Sequence, residues 1–325
     1  MKKIVIVGGG TGTYAVTNVL IGHQYDVTKI VTVFDSGGST GRLRDEFGFL
    51  PIGDLRQSLA ALATDNGQSW IRDLLLYRFE KGQGLEGHNL GNLILTALQD
   101  MTGSTPKALE IASSIFRLKG TIYPVTTGDS QLITTYEDGS QVKSEHELDE
   151  MKNGGKRIKK ISLSQNCEIY SKAKEALMTA DFIIFGPGDL YASILPNLIV
   201  GGIKETLQAS QAKLIYITNL MTRYTQTHGF SAMDHISEVE KYAGKYMDYV
   251  FVNSGEISPE ISQKYEKFHE FPVKDDLKNV STRTIIRGDF ASSVEVAKSK
   301  ADELPRSLMR HDQAKLAKAL LEILE

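Results

Sequence analysis

The sequence predicts an α/β fold with a mostly parallel sheet covered by helices on both faces. Three observations lead there. Short all-apolar runs such as Ile4-Val5-Ile6-Val7 and Phe182-Ile183-Ile184-Phe185 alternate with helical stretches, as strands buried on both faces require. Several of these runs end in glycine-rich or polar turns. The chain has 325 residues, 41% hydrophobic and 24% charged, which suits one large domain or two modest ones with a sizeable core.

In order along the chain, residues 4–7 read as strand, 13–20 as helix and 30–34 as strand. Helices follow over 54–63, 69–79 and 90–101, and Pro106 suits the first turn of another running to about residue 118. Strand character then dominates at 121–125, 131–136 and 141–143, with Glu137-Asp138-Gly139 as a hairpin turn. Residues 152–160 are basic and read as a solvated loop leading to a strand at 161–163. The region 121–165 is therefore expected to be a strand-rich insertion. Alternation resumes with a helix at 172–180 and strands at 182–185, 214–218 and 249–253. Helices fit 196–209, 232–243 and 313–324. On the last of these, Leu316, Ala319, Leu320 and Ile323 form an apolar face that packs either on the core or on a second subunit, which leaves a homo-oligomer open.

Composition excludes several classes. A net charge of −3 gives no overall positive field for nucleic acid or an anionic membrane. The single Cys167 rules out an intrachain disulfide and a cysteine-rich zinc site. Met1-Lys2-Lys3 is followed by only four apolar residues, too few for a signal peptide. No stretch reaches the roughly 18 apolar residues of a membrane span, so a cytoplasmic location is the expectation. Glycine is the one excess: 29 residues, above the usual ~7%.

Those glycines mark the candidate site. Gly8-Gly9-Gly10-Thr11-Gly12 follows a strand and opens a helix, where backbone amides and the helix terminus favour an anion. The pattern lacks the third glycine of the dinucleotide fingerprint, and no Gly-Lys-Ser/Thr makes it a P-loop; a tight strand-to-helix turn is the plain alternative. Asp35-Ser36-Gly37-Gly38-Ser39-Thr40-Gly41-Arg42 ends the next strand. Asp35 could bond a ribose hydroxyl or a metal-bound water, or merely cap a turn, while Ser39, Thr40 and Arg42 could hold phosphate. Asp54, ahead of Arg56, is a natural helix N-cap. His88 lies between glycines, Asn89 is placed to cap a helix and Asn92 falls in its first turn. Gly186, Gly188 and Asp189 follow the strand at 182–185, and Asn219 follows the next.

These motifs, in this order, resemble the YvcK-like (gluconeogenesis-factor) branch of the CofD superfamily. They comprise the Gly8–Gly12, Gly37–Gly41 and Gly53-Asp54-Leu55-Arg56 segments, Gly87–Asn92, and the run GPGDLYASILPN from Gly186. Later come Asn219-Leu220-Met221-Thr222, Asp234-His235, the stretch from Val252 to Ile257, and Arg310-His311-Asp312. The resemblance covers nearly the whole chain and implies one CofD-like domain over 1–325 with a Rossmann-like three-layer core. It differs from the family pattern in three places. Ser36 replaces the second of two adjacent aspartates, Ile52 stands where proline is usual, and Arg223-Tyr224-Thr225-Gln226-Thr227 replaces Gln-Pro-Gly-Glu-Thr.

Two functions follow as expectations of the resemblance. The first is a cytoplasmic nucleotide-sugar (UDP-sugar) binding factor tied to gluconeogenic growth and cell shape. Gly9, Gly10, Thr11 and Gly12 would cradle the diphosphate, and Asp35 and Asn219 would bond hydroxyls. Tyr265 would stack on base or sugar, or else belong to the core, and Arg310 would neutralise phosphate. The second is a CofD-like transferase moving a phospholactyl-type group from a nucleoside diphosphate carrier, with Mg²⁺ held through Asp35 and helped by Asp54 or Asp189. No nucleophile–base pair stands out. A dehydrogenase using Asp35 at the ribose lacks the third glycine.

Overall fold

The computed structural model describes residues 1–35, 37–63, 69–292 and 309–325. The elements in its first part are β1 (Lys3–Gly8), α1 (Tyr14–Ile21), β2 (Asp26–Val31), α2 (Gly38–Phe47), α3 (Gly53–Leu62), α4 (Ser69–Leu76), α5 (Leu90–Thr102), α6 (Thr105–Ile115) and β3 (Thr121–Pro124). A small unit follows with β4 (Leu132–Tyr136), β5 (Gln141–Lys143), α7 (Glu145–Leu148) and β6 (Ile158–Leu163). The chain then runs through α8 (Ser171–Thr179), β7 (Phe182–Phe185), α9 (Leu195–Leu198), α10 (Ile203–Ala209) and β8 (Lys213–Ile217). It ends with α11 (Ala232–Ala243), β9 (Tyr249–Asn253), α12 (Pro259–Glu266), β10 (Thr284–Gly288) and α13 (Gln313–Leu324).

Seven strands form one parallel sheet in the order β10-β9-β8-β7-β1-β2-β3. Alternate residues of β1 serve opposite faces, as pleating demands: Val5 and Val7 enter the larger core, Ile4 and Ile6 the smaller one. On the smaller side, Leu316, Leu320 and Leu324 of α13 are fully buried against α1 and the sheet. The apolar face of the last helix therefore belongs to the core. Helix ends follow capping chemistry. Asn89 and Ser104 accept from Asn92 and Lys107 amides, and Ser231 with Asp234 forms a capping box.

The insertion is smaller than expected. Residues 121–124 are not part of it: Thr28 pairs with Thr121 and Val31 with Pro124, so β3 is the parallel edge strand of the main sheet. The insertion sheet is antiparallel, ordered β5-β4-β6, and spans Leu132 to Leu163. Residues 158–160, read as solvated loop, form the start of β6 because Ile158 and Ile161 turn into the core. The expected helix over 196–209 is broken into α9 and α10 at Gly202, whose φ of +84° suits glycine. It is preceded by a π-type turn over Leu190–Ile194. Strand β2 runs over Asp26–Val31 rather than 30–34, and α2, α12 and β10 carry no clear periodicity in the sequence.

Candidate functional site

Strand order reverses at β1. From there the chain builds β2 and β3 on one side and β7 to β10 on the other. Loops leaving β1 and β7 diverge from such a point and open a crevice at the carboxyl edge of the sheet. The two glycine loops found in the sequence are these two loops, and they touch. A Cβ on Gly12 would overlap the carbonyl oxygen of Pro187 and lie 2.7 Å from Gly188 Cα. A Cβ on Gly9 would lie 2.8 Å from Ser193 Oγ and 3.0 Å from Asp54 Oδ2. Thr13 Oγ1 donates to Gly9 O at 2.7 Å, and Asn197 Nδ2 donates to Ser193 O at 2.8 Å and to Gly8 O at 3.4 Å. Close backbone approach within the protein thus already requires these glycines.

Asp54 is not the N-cap of α3. The cap position is Ile52, with no side-chain bond. The carboxylate of Asp54 instead reaches back to accept the Gly10 amide at 2.8 Å. Burial, and next Asp35, push the Asp54 carboxyl up to about 6, against the pull of the Gly10 amide, Lys29 and Arg56. Asp35 accepts the Gly37 amide through Oδ1 at 3.0 Å, a local turn, and its Oδ2 packs where a Cβ on Gly53 would sit. Lys29, on β2, is 1% exposed, and its Nζ has no hydrogen-bond partner among the described residues. Burial pushes its ammonium down to about 7 despite Asp54.

A second group of predicted residues forms a fixed polar brace. The buried Arg56 donates from Nε to Asn92 Oδ1 at 2.8 Å and from Nη1 to Leu75 O at 3.3 Å. Asn92 Nδ2 reaches Thr40 Oγ1 at 3.4 Å, and Asn89 Nδ2 donates to Leu76 O at 3.0 Å. His88 is buried beside them. Across the crevice, Gly186 donates its amide to Val7 O at 3.1 Å. Asn219 Nδ2 donates to Gly188 O at 2.9 Å, while Asn219 Oδ1 is buried with no partner among the described residues. The backbone of Gly38, Ser39 and Arg42 lies in α2; the side chains of Ser39 and Arg42, with Ser36, fall outside the described residues.

Tyr265 is buried in an apolar cluster with Leu220, Met221, Ile261, Ala291 and Met309. Its hydroxyl accepts the Met309 amide at 2.9 Å. This is the core placement that the sequence left open.

Thr11 and Gly10 open onto a cavity of about 210 Å³. Tyr14 of α1, Gln57, Ala60 and Ala61 of α3 and Leu76 of α4 form its walls, and four arginines enter it: Arg56, Arg72, Arg78 and Arg310. No carboxylate among the described residues lines it. Arg72 and Arg78 were missed in the sequence, although Arg72 is a lone cation between Ile71 and Leu74-Leu75-Leu76.

The acidic groups gather elsewhere. Glu145, at the start of α7 in the insertion, is pushed well above the usual carboxylate range by burial and then by Asp35, Asp54, Asp149 and Asp189. Asp189 is raised by burial, opposed by Arg223. Arg223 lies 3.6 Å from Asp149 and 3.7 Å from Glu270. Gln226 donates to Asp149 Oδ1 at 2.8 Å and accepts the Tyr191 amide at 3.1 Å, so it ties the insertion to the loop that follows Asp189. Despite this crowding, no group of three or more His, Cys, Asp or Glu residues among those described is arranged to hold a metal ion. Asp35 and Asp54 each spend an oxygen on a backbone amide. The donor set does not fit the Mg²⁺ ion considered from the sequence.

Taken together, fold and site define a parallel α/β protein with paired glycine loops at the strand switch point and a cationic cavity beside them. The chain belongs to the family whose model is described as 2-phospho-L-lactate transferase CofD, which matches residues 4–290. The gluconeogenesis factor of Bacillus subtilis is 37% identical over 325 residues, covering 99% of this chain and 98% of that protein. That of Listeria innocua is 34% identical over 324 residues, covering 99% and 95%. The crystal structure of protein BH3568 from Bacillus halodurans superposes with a TM-score of 0.87 at 34% identity, covering 98% of this chain and 99% of that one. Membership in the YvcK-like branch, which the ordered motifs indicated, thus holds over essentially the full length. No helix among the described residues is long and apolar enough to cross a membrane.

Proposed function

We propose that the chain is a cytoplasmic factor that binds a nucleoside diphosphate sugar, of the UDP-sugar type, and acts in gluconeogenic growth and the control of cell shape. The observation that carries this reading is the arginine-lined cavity that Gly10 and Thr11 open onto. Its charge and its place beside a strand-to-helix glycine turn suit a diphosphate. Two further features support it. Asn219 Oδ1, which has no partner among the described residues, offers an acceptor for a ligand hydroxyl, and relatives that align end to end carry the name gluconeogenesis factor. Calorimetry with UDP-N-acetylglucosamine tests it: measurable heat of binding is expected, and silence at millimolar ligand would overturn it.

The family match favours a second reading, a transferase that moves a phospholactyl-type group from a nucleoside diphosphate carrier. The engagement of Asp35 and Asp54 with backbone amides counts against a protein-held Mg²⁺ for that chemistry. Nucleotide release on incubation with guanosine diphosphate–lactate and a deazaflavin alcohol would establish it instead.

A further inference from the structure

The cavity and the carboxylates belong to different sides of the Gly10 turn. Asp54 occupies the Gly10 amide but is not among the residues that line the cavity, where the formal charge of the described residues is all cationic. Two of the four arginines are held in place. Arg56 is fixed on Asn92 and Leu75, and Arg78 Nη1 donates to Gly87 O at 2.8 Å.

Arg72 is held differently. Its guanidinium lies 4.7 Å above the ring of Tyr14, the first residue of α1, and its Nε is buried with no hydrogen-bond partner among the described residues. Stacking on a ring fixes the plane of the fork without consuming its donors. An N–H removed from water and left unpaired is costly, and an anionic oxygen in the cavity would satisfy it. Guanidinium forks bind phosphate oxygens in pairs. Four converging cations would take over the neutralisation that a divalent ion performs in carboxylate-based phosphate sites.

We propose that this cavity binds the diphosphate of the ligand without a divalent cation, and that Arg72, stacked on Tyr14, is a ligand-binding residue of that site. The inference rests on the diphosphate reading above and specifies how the charge is met.

The test is calorimetry with inorganic pyrophosphate on the full chain, in EDTA and in excess Mg²⁺. Binding in EDTA is expected, weakened by Mg²⁺ because the ion competes for the same oxygens. Arg72→Gln should lose at least about tenfold in affinity, and Arg72→Lys should not restore it, since a point charge lacks the fork. Thermal unfolding of each variant shows whether it is folded. If Arg72→Gln does not fold, Arg72→Lys, which keeps charge and stem, carries the test. Binding that requires Mg²⁺, or a folded Arg72 variant with wild-type affinity, would overturn the proposal. Pyrophosphate binding without UDP-sugar binding would remove the nucleotide-sugar function and leave this inference standing. UDP-sugar binding that needs Mg²⁺ would do the reverse, and loss of both would remove both.

Discussion

The amide of Gly10 donates to the carboxylate of Asp54 at 2.8 Å. This bond joins the first glycine loop to the start of α3 and brings a carboxylate beneath a turn that the sequence would assign to an anion. It also places that carboxylate near Asp35 and the buried Lys29, so the base of the site titrates near neutrality.

Replacing Asp54 with Asn keeps an acceptor for the Gly10 amide and removes the charge. The Asp54 carboxyl sits at about 6 in the folded chain against an ordinary 3.8. Its favourable contribution is complete below about pH 4 and is lost as pH rises through 6. Urea midpoints measured from pH 4 to 7 should show wild-type stability falling relative to Asp54→Asn, by at most about 1.4 kcal/mol per pH unit. Parallel curves would contradict the assignment.

Lys29 has the opposite sign. Its folded value near 7 lies below the ordinary 10.5, so the chain pays for burying the ammonium below pH 7 and regains stability as pH rises from 7 toward 10.5. Lys29→Met should unfold at higher temperature than wild type at pH 6.5, with the gap narrowing by pH 9. A gap that is constant with pH would show that Lys29 does not titrate there.

Gly12→Ala should destabilise the chain by about 1–3 kcal/mol through overpacking alone. The added Cβ would meet the Pro187 carbonyl and Gly188, forcing the two glycine loops apart. Chemical denaturation without any ligand measures this. A neutral result would mean that the loops separate freely and that the glycines are kept for the ligand.

The insertion is held over the crevice by Asp149, Arg223 and Gln226. Arg223→Ala should cost about 1–3 kcal/mol, because it leaves the partly buried carboxylates of Asp149 and Glu270 without their cation. Gln226→Ala should cost about 1–3 kcal/mol by stranding the buried Tyr191 amide. Hydrogen exchange should then speed up in β4, β5 and β6 before it does in the parallel sheet. Uniform exchange across the chain would refute the role of this clasp.

Much of the architecture was legible because buried parallel strands must be apolar and short. Residues 182–185 and 249–253 matched their strands residue for residue, and the helices at 232–243 and 313–324 did so as well. α2 was illegible for a physical reason: Gly38-Ser39-Thr40-Gly41 has poor helix propensity. Its helix depends on tertiary support, with Leu43 buried, Thr40 reached by Asn92, and Gly48 closing the end in the left-handed conformation. β3 was assigned to the insertion because a four-residue strand says nothing about its partner.

By itself, the sequence determined the fold class, the glycine junctions at strand ends and, through the order of its motifs, the family. Those features are local or cumulative along the chain. Only the tertiary structure decided which side of the Gly10 turn is acidic and which is cationic. Lys29, Arg72, Glu145 and Arg223 lie far apart in sequence and carry no spacing that links them. Their places around the Gly10 turn are set by the strand order of the sheet and the docking of the insertion. Electrostatics depends on distance and burial, and neither is written in the order of residues.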